Sequence, residues 1–394
     1  MQKSGDRIRV TAQLIDAVND NHLLSQKYDR NLTDLFALED DLTLQIAGAL
    51  DARLSDTIWA RISAQGTRNL EAWENFIKAE QLFFRSTPTD MSEAQKLAQR
   101  AVDLDPNYAL AWTLLAYTYF SQATSGWAND RLAALQRARQ LDDKLLQLDP
   151  EFEGAYRLRA RLELTPDLPE YDPDAALADA RKSVELAPND EYSHLGLGNV
   201  LLQLGRFDEA TAEFATVLRL NPHPPLPISG FHAIALSATG QYEQAVAEIA
   251  AAIAANPKNP FGPHDRGVVE AFAQHYAEAA VWLERAHEFD PDSAIRAYRL
   301  AAVYDQLGRV DDAISLLDKG PPRWRNVPEI RLWLALSYAL AGRKEQAAAE
   351  FGEFRALAPK YTISSTRGWW SRFLTPQFFD RIAALSREYG IPEK

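Results

Sequence analysis

Proline returns along this chain at an interval that leaves little choice of architecture. The prolines of Leu186-Ala187-Pro188, Leu220-Asn221-Pro222, Ala255-Asn256-Pro257 and Phe289-Asp290-Pro291 are 34, 35 and 34 residues apart. The next, in Leu357-Ala358-Pro359, follows after 68, the junction between them having become Gly320-Pro321-Pro322. Proline ends a helix that it cannot continue, so a fixed interval of this size marks one supersecondary unit used repeatedly. An array of such units has to be considered before 394 residues are converted into a number of domains.

Inside the interval other residues keep phase with the prolines. Gly205-Arg206-Phe207-Asp208-Glu209-Ala210 returns as Gly240-Gln241-Tyr242-Glu243-Gln244-Ala245, Gly308-Arg309-Val310-Asp311-Asp312-Ala313 and Gly342-Arg343-Lys344-Glu345-Gln346-Ala347. Between them, Gln274-His275-Tyr276-Ala277-Glu278-Ala279 keeps the order without the glycine. Glycine supplies the left-handed residue after a helix, and alanine lets two helices approach closely, so each unit reads as helix, turn, helix. With this phasing the chain resembles the tetratricopeptide-repeat (TPR) family. The resemblance implies a mostly α protein, a right-handed TPR α-solenoid of about eight helix-turn-helix repeats beginning near Glu71, Asn107, Glu151, Asn189, His223, Lys258, Asp292 and Pro328.

Two early units exceed the period, Pro106 to Pro150 by ten residues and Pro150 to Pro188 by four. The extra length falls around Ser121 to Asp130 and in Thr165-Pro166-Asp167-Leu168-Pro169-Glu170-Tyr171-Asp172-Pro173. Insertions confined to loops leave stacking intact and mark a candidate working face. Beyond Pro359 come Gly368-Trp369-Trp370-Ser371-Arg372-Phe373 and a helical stretch from Pro376 to Tyr389, expected to cover the last repeat's apolar face. The tryptophan pair with Phe373, Phe378 and Phe379 reads either as the core of that cap or as an exposed docking patch.

The first 66 residues break the pattern. Ile8, Val10, Ala12 and Leu14 alternate with Arg7, Arg9, Thr11 and Gln13, a strand with one wet face, and a second extended run, His22 to Tyr28, follows a turn-rich segment. A helix is then expected from about Thr33 to Leu54. This α/β remnant, hairpin plus helix, resembles the C-terminal part of the TolB-like domain that precedes TPR arrays in bacterial regulators. In that family the upstream portion bears a class III adenylate/guanylate cyclase or a winged-helix DNA-binding domain, often followed by one membrane span. The expected organisation is a partial TolB-like segment at 1–66, a solenoid at 67–362 and a capping helix at 363–394. The strand Arg7 to Ile15, with an unpaired edge, offers a route to a homodimer through residues 7–15.

Composition narrows the function classes. With 42 Lys plus Arg against 55 Asp plus Glu, the net charge is −13, repulsive toward nucleic-acid phosphates and anionic membranes. A protein or peptide partner is expected, with no nucleic acid and no membrane insertion. There is no cysteine, and the seven histidines form no HExxH or other close metal-ligand spacing, so neither metal nor cofactor is expected. Gly196-Leu197-Gly198 lacks the third glycine and the Lys-Ser/Thr of a phosphate loop and reads as helix packing. No GxSxG or paired nucleophile and base stands out, so no catalytic residue is assigned and the chain is expected not to be an enzyme. The first ten residues contain no apolar run of export type, which as written points to the cytoplasm. If the chain is part of a larger membrane-anchored protein, it would face the periplasm.

A solenoid's inner surface is lined by the first helix of each unit. The phase places there Arg157 and Arg161 in the third unit, Tyr192, Asn199 and Gln203 in the fourth, Phe261, His264 and Phe272 in the sixth, and Tyr298 and Asp305 in the seventh. Aromatic, amide and basic residues of this kind suit an extended peptide. The lysine–asparagine–arginine clamp of chaperone-binding TPRs is not reproduced: Asn199 fits one position, while Phe231 and Asp265 occupy others. The expected function is a non-catalytic interaction or sensor scaffold of a bacterial signalling protein, with self-assembly, or service as the regulatory half of a nucleotide cyclase, as alternatives.

Overall fold

The computed structural model describes residues 2–4, 7–16, 21–31, 66–67, 69–85, 87–221, 228–255 and 261–394. The chain divides into two compact units, Met1–Ile77 with Gln99–Ala111, and Lys78–Ala98 with Trp112–Lys394.

In the first unit the alternating N-terminal pattern forms an antiparallel sheet of β1 (Gln2–Ser4), β2 (Arg7–Asp16) and β3 (Asn21–Asn31), in that order. The expected hairpin is β2–β3, with Val10 opposite Tyr28 and an irregularity between Leu14 and Ile15. The strand read as having an unpaired edge is not wholly so. β1 sets Gln2 against Arg9 and Ser4 against Arg7, making β2 the middle strand over that stretch. The helix expected over 33–54 lies outside the described residues. Farther along, Phe76 packs on Tyr108 with ring centroids 5.2 Å apart.

Eighteen α-helices follow the sheet among the described residues. In chain order come α1 (Leu70–Arg85), α2 (Pro88–Leu104), α3 (Ala109–Thr124) and α4 (Arg131–Leu148), and then α5 (Glu153–Glu163) pairs with α6 (Pro173–Leu186). The regular units continue as α7 (Glu191–Gln203) with α8 (Phe207–Leu220), α9 (Ile228–Ala238) with α10 (Tyr242–Ala255), and α11 (Phe261–Phe272) with α12 (Tyr276–Phe289). Then come α13 (Ala294–Gln306) with α14 (Val310–Asp318), and α15 (Pro328–Leu340) with α16 (Lys344–Leu357). The chain closes with α17 (Ile363–Phe373) and α18 (Pro376–Glu388). The first helices of the later repeats are covered on nearly every side, Ser193 to Leu202 of α7 being buried without interruption, whereas second helices such as α8 keep a solvent face. That difference defines an inner and an outer layer.

The repeated residues have repeated geometry. Ala210, Ala245, Ala279, Ala313 and Ala347 are each fully buried, and a methyl on Gly198 would lie 2.6 Å from the Phe214 ring, so the inner and outer helices touch through small residues. Gly205, Gly240, Gly308 and Gly342 all take positive φ, between 73° and 87°. Each closes its inner helix by the same pair of bonds, as when Gly308 N–H donates to Asp305 O and Arg309 N–H donates to Tyr304 O. Gln274 holds the same turn at φ 63°, donating to Ala271 O while His275 donates to Glu270 O. Neighbouring repeats thus hold a side chain in a conformation that glycine adopts without strain.

The two insertions do not form an open working face. Ala294 N–H donates to Ser125 O at 3.1 Å, and Arg323 Nε–H to Gly126 O at 2.9 Å. Arg131 grips Asp167 of the second insertion in a buried two-pronged pair at 2.6 and 3.2 Å, and Lys360 donates to Pro169 O. The surplus residues therefore bridge the second and third repeats to the seventh and eighth across the turn of the solenoid.

Replacing Gln274 with glycine removes the left-handed strain at the cost of a more flexible unfolded chain, and is expected to stabilise by about 0.5–1 kcal/mol. A methyl on Gly308 meets nothing within 4 Å, so Gly308→Ala tests the same backbone term alone and is expected to cost about 1 kcal/mol. Urea unfolding of both variants measures the pair of opposite signs.

Candidate partner-binding face

The ten residues that the phase places on the inner surface separate into distinct environments. Arg157, Arg161 and Tyr192 come together. Arg157 pairs with Asp190 at 3.3 Å and stands over the rings of Tyr192 (5.4 Å) and Tyr117 (6.0 Å), while Arg161 lies over Phe120 at 4.9 Å. Burial, followed by the charges of Glu80 and Glu191, pushes the Tyr192 phenol up to about 12. Phe83 meets Tyr117 edge-on, extending this half-buried aromatic and basic surface toward the first repeat.

Asn199 is buried in the stack and Gln203 is exposed at the end of α7. Phe261 is half-buried beneath the Arg296 guanidinium at 5.7 Å. Asp305 is 2% exposed and accepts from Ser337 Oγ at 2.7 Å, so it stitches α13 to α15. Burial raises its carboxyl to about 8. Gly196 and Gly198 lie in mid-helix against Arg157 and Phe214, as packing glycines.

His264 sits at the centre of a sealed polar contact. Its Nδ1 is 3.0 Å from Asp265 Oδ1 and its Nε2 accepts from Arg299 Nη1 at 3.0 Å. Burial, then Arg299 and Arg296, hold the imidazole well below its ordinary range, and burial lifts Asp265 to about 7 despite the same arginines. A neutral ring donating from Nδ1 fits both bonds. Arg299 in turn lies 4.9 Å above Trp369, which closes the contact.

Phe272 and Tyr298 also face the C-terminal segment. Phe272 meets Trp369 and Phe373 edge-on at 5.0 and 5.7 Å, and Tyr298 lies 6.5 Å from Trp370. The tryptophan pair is not a free patch: Trp370 packs on Trp333 of the last repeat at 4.8 Å, as a cap does, while Trp369 reaches back to Phe272 of the sixth. α17 crosses the ends of the inner helices, while α18 covers α15 and the Tyr389 ring after it stacks on Phe351 of α16. The positions beneath α17 share one register: Leu204 against Gly368, Ala238 O accepting from Arg372 Nε at 2.7 Å, Phe272, and Gln306 Oε1 accepting from Thr375 N–H at 3.1 Å. Each is 34 residues from the next. The sequence carried this signal only as the glycine preceding the tryptophan pair, without saying which surface the pair meets.

Among the described residues, no group of three or more His, Asp or Glu side chains is placed to hold a metal, and no helix is long and apolar enough to cross a membrane.

The fold is that of a helical repeat solenoid, a class whose members are typically non-catalytic scaffolds for other proteins. Three stretches, residues 168–227, 273–327 and 329–361, match models of the tetratricopeptide repeat. A solved structure, that of the APC/C hetero-tetramer Cut9-Hcn1, is similar with a TM-score of 0.50 at 19% identity, over 83% of this chain and 59% of that one. Yeast Tom70 gives a TM-score of 0.44 at 15% identity, covering 82% and 66%. A curated relative from Rhizobium meliloti (strain 1021), named putative adenylate cyclase 3, is 28% identical over 163 residues, 41% of this chain and 28% of the relative. The chain thus matches just over a quarter of that protein's length.

Asp305 supplies a pH test. Its carboxyl, unfolded at an ordinary value near 3.8 and folded near 8, keeps its proton in the folded chain. Stability from this group is complete below pH 4 and declines as pH rises to about 8. Asp305→Asn keeps an acceptor for Ser337 and removes the ionisation. The stability measured by thermal unfolding across pH 4–8 is expected to fall less steeply for the variant, the accumulated difference amounting to about 5 kcal/mol over the range.

Proposed function

We propose that this chain is the interaction and sensor half of a bacterial signalling protein, receiving a protein segment on the inner face of its early repeats. The observation that carries the reading is the half-buried run Phe83, Tyr117, Arg157 and Tyr192, where guanidinium and aromatic faces stack without being covered by α17. Arginine and tyrosine are the side chains that most often anchor a partner, because each brings a large rigid surface with a polar edge. Asp190 holds Arg157 in place, so its ring-stacking face costs little to organise.

The signalling context rests on two supports. One is the resemblance of the N-terminal segment to the TolB-like domain, and the other is the likeness to a protein named putative adenylate cyclase 3. In this reading the repeats sense or tether a partner, and nucleotide chemistry belongs to a separate catalytic domain.

Selection of a random peptide library on the full chain tests the binding face. The enriched peptides are expected to lose at least tenfold in affinity against Tyr192→Ala and against Arg157→Ala, with the helical circular dichroism unchanged. Enriched peptides that bind both variants as they bind the parent would overturn the assignment.

A further inference from the structure

The row of inner-helix ends under α17 has the properties of a binding site whose ligand is part of the same chain. Leu204, Ala238, Phe272 and Gln306 stand at one position of four successive repeats, and the segment 368–375, α17 with the link after it, meets all four. Its hold combines aromatic contacts with bonds to chain ends: Arg372 to Ala238 O, Tyr276 Oη to Phe373 O at 3.2 Å, and Thr375 N–H to Gln306. Trp369 is 8% exposed and Phe373 fully buried, while Arg367 on the opposite side stays near 43% exposed. The helix is amphipathic, with its own capping box at Thr362 and Ser365, and short non-helical links border it at 358–362 and 374–375. Those are the features of a helix laid in a groove.

We propose that this row is a helix-docking site whose resident occupant is α17, so that residues 361–375 are the chain's own ligand for its repeats. An outside segment that uses the row is an amphipathic helix with a glycine against Leu204, adjacent aromatics over Phe272 and Tyr298, and a basic residue for the carbonyl of Ala238. It competes with α17 and does not add to it. The proposal extends the scaffold reading to a second inner surface, and its test uses no natural partner, so the two readings fail separately.

Gly368 gives the means of emptying the site. A methyl there would lie 2.5 Å from Leu204 O and 2.9 Å from the Gly205 Cα, both backbone, so Gly368→Val expels α17 while leaving every residue of the row intact. The probe is a fluorescent synthetic peptide of residues 361–375, added to the full-length parent and to the full-length variant. The variant is expected to keep its helical signal and to bind the peptide at least tenfold more tightly than the parent, whose site is filled; the Gly368→Val peptide is expected to bind neither. A second variant, Trp369→Ala with Trp370→Ala, loosens α17 without adding bulk and is expected to admit the parent peptide likewise. Folded variants that ignore the peptide would overturn the proposal. So would collapse of the helical signal in both, which would make α17 inseparable from the fold. A parent that sediments as a dimer, with a monomeric variant, would put a second copy's helix in the row and also overturn the cis arrangement.

Discussion

Each of the last five repeats of this array depends on the close approach of an inner and an outer helix through a buried alanine, reached by a turn that enters the left-handed region. A helix pair of this size cannot bury enough apolar surface alone, so stability comes from stacking one pair on the next. The turn sets the angle at which that stacking propagates. When glycine is missing, as at Gln274, the turn is unchanged: φ stays at 63° and both closing hydrogen bonds remain. Neighbours on both sides impose the geometry, and the local chain absorbs the strain.

The same economy explains the buried polar groups. His264, Asp265 and Arg299 would be costly singly, yet the His264 ring bonds to both of the others between α11 and α13 under the Trp369 ring. Asp305 and Ser337 repeat the device one unit farther on. A solenoid has little depth, and polar side chains pointing along its axis meet the next repeat instead of water.

The period was legible in the sequence because it records contacts between neighbouring repeats. Ala210, Ala245, Ala279, Ala313 and Ala347 recur because each meets the same surroundings, and the strand alternation of Ile8 to Leu14 is as local. Arg157 and Tyr192 could be paired from phase alone, since they lie on adjacent inner helices. Contacts that jump repeats leave no such trace. Nothing periodic marks Arg323 for Gly126, Lys360 for Pro169, or Gly368 for Gly205, and each bridges a separation set by the curvature of the array. The insertions were visible as surplus length, but the surface they meet is determined by how far the solenoid has turned.

The contact between Gly205 and Gly368 joins residues 163 positions apart, and those of Arg323 with Gly126 and Lys360 with Pro169 span 197 and 191. An open array of repeats can assemble in any order and fray from either end, because each unit answers only to its neighbours. Bridges of this length convert the line into a circuit. The local helix pairs can form quickly, but closing the circuit must await nearly the whole chain, which makes it a late step of high contact order. Once it is closed, the eighth repeat is no longer an end. Ribosomal synthesis delivers residues 358–394 after the repeats they bridge, so the array acquires its bridged curvature only after those helices have left the exit tunnel.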